Sequence, residues 1–187
     1  MKNIVILFSG EGTNMINLIE TLHDKVCNVA AAITNKPDAP GIAKARELGI
    51  HVDVIDHTHF DSRESFDEAL VCAIRRYSPD LVVMAGFMRI LSNVFTENVR
   101  AINLHPSLLP LFKGSRAIER SYESAEPKGG VSVHWVTDEL DGGAIVMQEA
   151  FAKAEDETFE SFHAKVKQIE HDILPKAVCK ILGTEQP

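Results

Sequence analysis

The chain has 187 residues, 45% hydrophobic and 25% charged, which is enough for one sizeable core but short of two full domains. Acidic residues outnumber Lys and Arg by 27 to 19, a formal net charge of −8. That balance argues against a protein that coats nucleic acid or lies on a membrane surface, since either shows a basic stripe. A small anion is still admissible, held by a helix N-terminus and a few local cations. Cys27, Cys72 and Cys179 form no C-x-x-C pair. Cys72 and Cys179 fall in apolar helical patterns and read as buried free thiols, in keeping with a reducing cytoplasm. The apolar run after Met1-Lys2-Asn3 stops at Phe8, too short for a signal peptide or a membrane span.

Asn3 to Phe8 is apolar on both faces, as a buried parallel strand is. It runs into Ser9-Gly10-Glu11-Gly12-Thr13-Asn14, and helical spacing follows from Met15 to Leu22. Strands are predicted from Val29 to Thr34 and from His51 to Ile55, with a short helix from Gly41 to Leu48 between them. Asp61-Ser62-Arg63-Glu64 reads as a capping box. It opens a helix with Phe66, Leu70, Ala73, Ile74 and Tyr77 on one stripe, ended by Ser78-Pro79. Leu81 to Ala85 is another buried strand, broken by Gly86. A short helix near Ser92 to Asn98 leads to a strand that closes at Asn103-Leu104-His105-Pro106. This alternation predicts an α/β fold with a doubly wound, mostly parallel sheet. Val131 to Val136, the turn-rich Thr137 to Gly143 and Ala144 to Glu149 then read as an antiparallel hairpin added to it. A helix from Thr158 to about Ile173 follows an acidic turn. Pro175 is expected to interrupt it before Lys176 to Leu182. No repeat or linker divides the chain, so residues 1–187 form one domain.

Side chains alternate along a strand, so Asn103 and His105 point to the same side. One is an amide donor and the other changes charge near neutral pH. Pro106 cannot continue a central strand, which puts the pair at the carboxyl edge of the sheet, where ligands bind in such folds. A capped polar strand end is the plain alternative; the pair with the stiff Ser107-Leu108-Leu109-Pro110 loop favours an active site. Gly10-x-Gly12 lacks the third glycine of a dinucleotide fingerprint, and no acidic residue closes the second strand. Gly12, Thr13 and Asn14 instead offer backbone N–H groups for one phosphate, unless they are only a tight turn. Asp138, Glu139 and Asp141 with Gly142-Gly143 are either a plain hairpin loop or a source of a carboxylate for His105. Asp141 is the best candidate, and its charge is expected to raise the His105 pKa. His57 and His59 read as solvated, and no metal is expected. His134 either lines the site or is bonded within the sheet. Lys167 and Glu170 share a helix face, as a surface ion pair or as part of the site.

Ser9 to Asn14, Ala85-Gly86-Phe87-Met88-Arg89-Ile90-Leu91, Asn103 to Pro110, and Ser132-Val133-His134 through Asp138-Glu139-Leu140-Asp141-Gly142-Gly143 together resemble the phosphoribosylglycinamide formyltransferase family of purine synthesis. The resemblance covers nearly the whole chain. It implies a Rossmann-like formyltransferase domain that moves a formyl group from 10-formyltetrahydrofolate to the amine of glycinamide ribonucleotide. Residues 1–100 would be the nucleotide-binding half and 101–187 the catalytic and folate-binding half. Asn103, His105 and Asp141 would be catalytic. Gly12, Thr13 and Asn14 would hold the nucleotide phosphate with help from Lys167, and Glu170 would lie near the amine. Met88, Arg89, Ile90, Leu91, Thr137, Asp138, Glu139, Leu140 and Asp141 would border the pterin beside Asn103, and Arg63 would face the folate's glutamate tail. The implied protein is cytoplasmic, a monomer or homodimer, with no nucleic-acid or membrane partner.

The chain departs from the pattern at Ser115-Arg116-Ala117-Ile118, where relatives often carry one or two histidines. The chemistry agrees with the residues: an amine attacks a formamide carbon, Asn103 and a cationic His105 donate to the developing oxyanion, and His105 protonates the departing nitrogen. Sibling activities are the alternatives. A methionyl-tRNA formyltransferase carries an added C-terminal domain, whereas this chain ends near Leu182. A 10-formyltetrahydrofolate hydrolase adds an N-terminal domain, whereas the first strand here starts at Asn3. A non-enzymatic nucleotide-binding module would have no reason to combine Asn103, His105 and Asp141.

Overall fold

The computed structural model describes residues 1–185. Its strands are β1 (Asn3–Phe8), β2 (Asn28–Thr34), β3 (Val52–Val54), β4 (Leu81–Met84), β5 (Ala101–His105), β6 (Lys128–Trp135) and β7 (Ile145–Ala152). They form one sheet in the order β3-β2-β1-β4-β5-β6-β7. The pairs from β3 through β5 are parallel, and β5–β6 and β6–β7 are antiparallel, so the doubly wound sheet and its added hairpin both form. The strand order reverses between β1 and β4, and the carboxyl ends of the two strands flank the crevice that such a reversal opens.

The helices are α1 (Thr13–Leu22), α2 (Gly41–Glu47), α3 (Arg63–Arg75), α4 (Asn93–Thr96), α5 (Ala117–Glu123) and α6 (Phe159–Leu182). β1 is buried on both faces and splits its side chains between two cores. Ile4, Ile6 and Phe8 share one core with Leu18 and Leu22 of α1 and Val166 and Leu174 of α6. Val5 and Leu7 share the other with Phe66, Leu70 and Ile74 of α3 and with Phe95. Each such aliphatic or aromatic side chain contributes about 1.5–3 kcal/mol through burial.

Pro175 does not interrupt the last helix, which runs unbroken from Phe159 to Leu182. Proline removes the N–H that would bond the carbonyl four residues back. That carbonyl belongs to His171, and the Asn17 side-chain amide of α1 donates to it at 2.8 Å. A neighbouring helix thus replaces the missing bond. The α3 cap also differs from expectation: Ser62 is the N-cap and exchanges bonds with Ser65, rather than Asp61 with Glu64. Cys72 is exposed, because it lies off the Phe66-Leu70-Ile74 stripe; Cys27 and Cys179 are buried. β6 starts at Lys128, so Gly129 and Gly130 lie inside a strand. A Cβ on Gly129 would stand 2.6 Å from the Phe162 ring, and one on Gly130 only 2.3 Å from the Glu149 carbonyl oxygen. Helix α5, short and with few apolar residues, has no clear periodic signature in the sequence.

Candidate active site

β5 delivers Asn103 and His105 to the carboxyl edge of the sheet. Across the β5–β6 pair Asn103 lies opposite His134, and His105 opposite Ser132. Directly opposed residues in an antiparallel pair share a face, and His134 is therefore drawn into the site. Its Nδ1 is 2.9 Å from the Trp135 carbonyl oxygen, which only accepts, so the ring proton sits on Nδ1. Nε2 is then free to accept from the Asn103 amide at 3.2 Å. That bond uses one amide hydrogen of Asn103 and leaves the other for the pocket.

Asp141 arrives from the turn between β6 and β7 with left-handed backbone, φ 51°. Its Oδ2 lies 3.4 Å from His105 Nδ1 and its Oδ1 lies 3.5 Å from His134 Nε2. The Gly114 N–H donates to Oδ2 at 2.8 Å. Burial pushes the Asp141 carboxyl up, but donation from the His134 ring when it is protonated, the Gly114 N–H and the positive charge that both imidazoles carry in their protonated forms outweigh it and hold the group below the usual carboxylate range. It is therefore ionised at neutral pH.

His105 is 6% exposed. Its Nε2 donates to the Phe112 carbonyl at 2.9 Å. Burial, the largest influence, pushes the imidazole below its ordinary value; the Phe112 carbonyl and Asp141 pull the other way and do not compensate, while His134 and Arg120 add to the depression. Asp141 does pull the His105 pKa upwards, as expected, but the net shift is downward, because desolvation disfavours the cation more than the carboxylate favours it. The resting imidazole is neutral, with its proton on Nε2 and the Nδ1 lone pair towards Asp141.

Asn103, His134 and Asp141 form the polar floor of a pocket that is open at its mouth. Met84, Arg89, Ile90, Leu91, Val136 and Thr137 to Leu140 complete its lining. Ile90 and Leu140 leave apolar surface exposed at the rim, as does Met88 just outside the lining. Arg63 is exposed at the start of α3 and is also outside the lining. The segment from Arg89 to Leu91 is anchored at its end, where Ser92 donates through N and Oγ to the buried Asp67 carboxylate at 2.6 and 2.7 Å. Glu139 of the lining pairs with Lys113, which lies outside it, at 2.7 Å.

A second cluster stands at the end of β1. Gly12, with φ 71°, is the N-cap of α1, and no side chain caps that helix. The first-turn N–H groups, Thr13 and Asn14 among them, are thus free for an anion. The Asn14 amide donates to Glu170 Oε2 at 3.0 Å, and Lys167 Nζ reaches the same oxygen at 2.8 Å. Glu170 is 3% exposed, so its contact with Asn14 is a buried bridge between α1 and α6, and Lys167 reaches it from the half-exposed surface of α6. Asn14 Oδ1 is buried without a partner. Such an acceptor costs about 1–3 kcal/mol unless a donor reaches it, which marks the spot as one where a ligand N–H or O–H fits.

A formyl transferase family model matches residues 2–178. The phosphoribosylglycinamide formyltransferase of Escherichia coli (strain K12) is 39% identical over 180 residues, covering 94% of this chain and 85% of that protein. This chain belongs to the phosphoribosylglycinamide formyltransferase family. A crystal structure of the Campylobacter jejuni phosphoribosylglycinamide formyltransferase superposes with a TM-score of 0.92 at 48% identity, over 97% of both chains. The glycinamide ribonucleotide transformylase 1 of Symbiobacterium toebii also gives 0.92, at 34% identity, over 98% of this chain and 89% of that one. The human trifunctional purine biosynthetic protein adenosine-3 is 37% identical over 94% of this chain, which corresponds to 18% of that longer protein.

In this formyltransferase the sequence left out several contributors. Met84 and Val136 line the pocket. They are apolar strand residues with no chemical signature. Phe112 and Gly114 act through backbone groups, which no side-chain motif reveals. Among the described residues no group of three His, Cys, Asp or Glu side chains is placed to hold a metal, and no helix is long and apolar enough to cross a membrane.

Proposed function

We propose that this formyltransferase moves the formyl group of 10-formyltetrahydrofolate onto the amine of glycinamide ribonucleotide, a step of purine synthesis. The observation that carries the reading is the grouping of Asn103, His105 and Asp141 at the sheet edge that also bears the anion-ready start of α1. The apolar-walled pocket suits a pterin, bordered by Arg89 to Leu91 and Thr137 to Asp141, with Met88 and Arg63 serving its outer parts. Gly12, Thr13 and Asn14 bind the nucleotide phosphate with Lys167, and Glu170 receives the acceptor amine. The first hundred residues thus supply the phosphate-binding helix start, and residues 101–187 supply the catalytic set.

The amine attacks the formyl carbon and negative charge develops on the formyl oxygen. The second amide hydrogen of Asn103 stabilises that oxygen. Attack makes the amine nitrogen cationic, and it must lose one proton while the departing folate nitrogen gains one. A neutral His105 accepts that proton and passes it on, so no net proton is consumed. The ionised Asp141 stabilises the imidazolium in between. No covalent enzyme intermediate and no metal is called for. The protein acts in the cytoplasm on these small molecules, as a monomer or homodimer, without nucleic acid or membrane.

The test follows tetrahydrofolate release from 10-formyltetrahydrofolate with glycinamide ribonucleotide, with methionyl-tRNA and with neither. Release only with the nucleotide is expected. An equal rate without acceptor would make the protein a hydrolase, and a rate with methionyl-tRNA alone would make it a tRNA formyltransferase.

A further inference from the structure

We infer that Arg120 is a positioning residue for the proposed formyl transfer: it clamps the loop from Phe112 to Ser115, and that loop holds both members of the His105–Asp141 pair. The loop meets the pair at two points. The Phe112 carbonyl accepts from His105 Nε2 at 2.9 Å, and the Gly114 N–H donates to Asp141 Oδ2 at 2.8 Å. Both are backbone groups, so their placement depends wholly on the loop's conformation.

That conformation does not hold itself. Phe112 and Arg116 have φ of 57° and 55°, and Gly114 has φ of 81°. A left-handed residue other than glycine crowds its Cβ against the backbone, so surrounding bonds must keep it there. Arg120 supplies them from α5. Its Nη2 donates to the Phe112 carbonyl at 3.1 Å and to the Lys113 carbonyl, and its Nε donates to the Ser115 carbonyl at 3.0 Å. The guanidinium carbon lies 6.0 Å from the centre of the Phe112 ring. A planar fork spreads its donors over separate nitrogens and so spans these carbonyls, whereas an ammonium must bond from one nitrogen. The Phe112 oxygen is shared between Arg120 and His105, so the clamp reaches the imidazole through one atom. It keeps the His105 proton on Nε2 and leaves Nδ1, beside Asp141, as the nitrogen that gains and loses the reaction's proton.

The inference rests on formyl transfer as the function, and the experiment separates the two. Ring-nitrogen NMR of the ligand-free protein, labelled with ¹⁵N-histidine, reads the His105 tautomer without any assay of activity. Steady-state kinetics of Arg120→Met and Arg120→Lys reads the chemistry. The wild type is expected to show the Nε2–H tautomer. Both variants are expected to lose it in part and to lose about tenfold or more in kcat, with each KM within about twofold, the pattern of displaced catalytic groups. Should Arg120→Met fail to fold, Arg120→Lys, which keeps the charge and most of the stem, carries the test alone. An unchanged tautomer with turnover near wild type overturns the inference. So does an unchanged tautomer with kcat, both KM values and thermal stability falling together, which is a purely structural role. A wild type that transfers no formyl group would sink the proposed function, while the tautomer comparison would still decide on the clamp.

Discussion

His105 Nδ1 stands 3.4 Å from Asp141 Oδ2, a contact between an imidazole that burial keeps neutral and a carboxylate that its neighbours keep charged. The pair is poised to take up one proton between them. His105→Ala should therefore slow turnover on the order of 10² or more, the usual size of a lost acid–base group. Tetrahydrofolate release under saturating substrates measures it. Turnover close to wild type would remove His105 from the mechanism.

The pH dependence has a definite sign. Under the proposed mechanism the free enzyme works with His105 neutral, and the pKa of that ring is pushed below the ordinary 6.5, so kcat/KM should rise with pH along a limb centred under that value. The Asp141 charge pulls this pKa upwards. Asp141→Asn should then move the limb to still lower pH as well as lowering the rate. A limb that moves upwards would contradict the assignment. Stability follows the same logic: the unfolded chain binds the His105 proton more readily, so the folded state should weaken as pH falls from 6.5 towards the depressed value. His105→Gln should flatten that slope in a series of thermal melts.

Lys167 and Asn14 converge on Glu170 at the start of α1, away from the lining of the pocket beside Asn103. Removing a charged donor to a phosphate costs about 1.5–3 kcal/mol, roughly a tenfold to hundredfold loss of affinity. Lys167→Ala should show that loss for glycinamide ribonucleotide and leave folate affinity nearly unchanged. Titration calorimetry with each ligand distinguishes this from an equal loss of both.

Gly143 ends the turn that carries Asp141. A Cβ there would lie 1.7 Å from the Trp135 carbonyl oxygen, whereas one on Gly10 would meet nothing within 4 Å. Gly143→Ala should destabilise the fold by at least the ~1–3 kcal/mol typical of overpacking and should also depress activity by shifting Asp141. Gly10→Ala should leave the melting temperature nearly unchanged. Comparable melting temperatures for the two variants would show that the turn yields more easily than its geometry allows.

Local order was legible in the amino-acid sequence because its causes are local. The doubly apolar run of Asn3 to Phe8 marks a buried strand, and the stripe from Phe66 to Ile74 marks a helix, since periodicity needs only near neighbours. Alternation on β5 put Asn103 and His105 on one side, and the glycine before α1 marked an open helix start. The spacing of Lys167 and Glu170 put them on one face, yet nothing in that spacing revealed that Glu170 is buried.

Only the folded chain decided what depends on distant segments meeting. Pro175 ought to break a helix taken alone; packing against α1 lets Asn17 serve the carbonyl it strands. His134 joins the site because antiparallel register sets it opposite Asn103, and register is a property of two strands. The charge on His105 follows from how completely other elements exclude water, a sum over the whole environment that outweighs its one carboxylate neighbour. Sequence alone thus settled most of the elements, α5 and the unbroken α6 excepted, and the chemical types at the sheet edge, whose causes lie within a few residues. Tertiary structure decided the desolvation of His105, the orientation of the rings and which carbonyls Arg120 reaches, because burial and backbone carbonyl positions arise only when the elements pack.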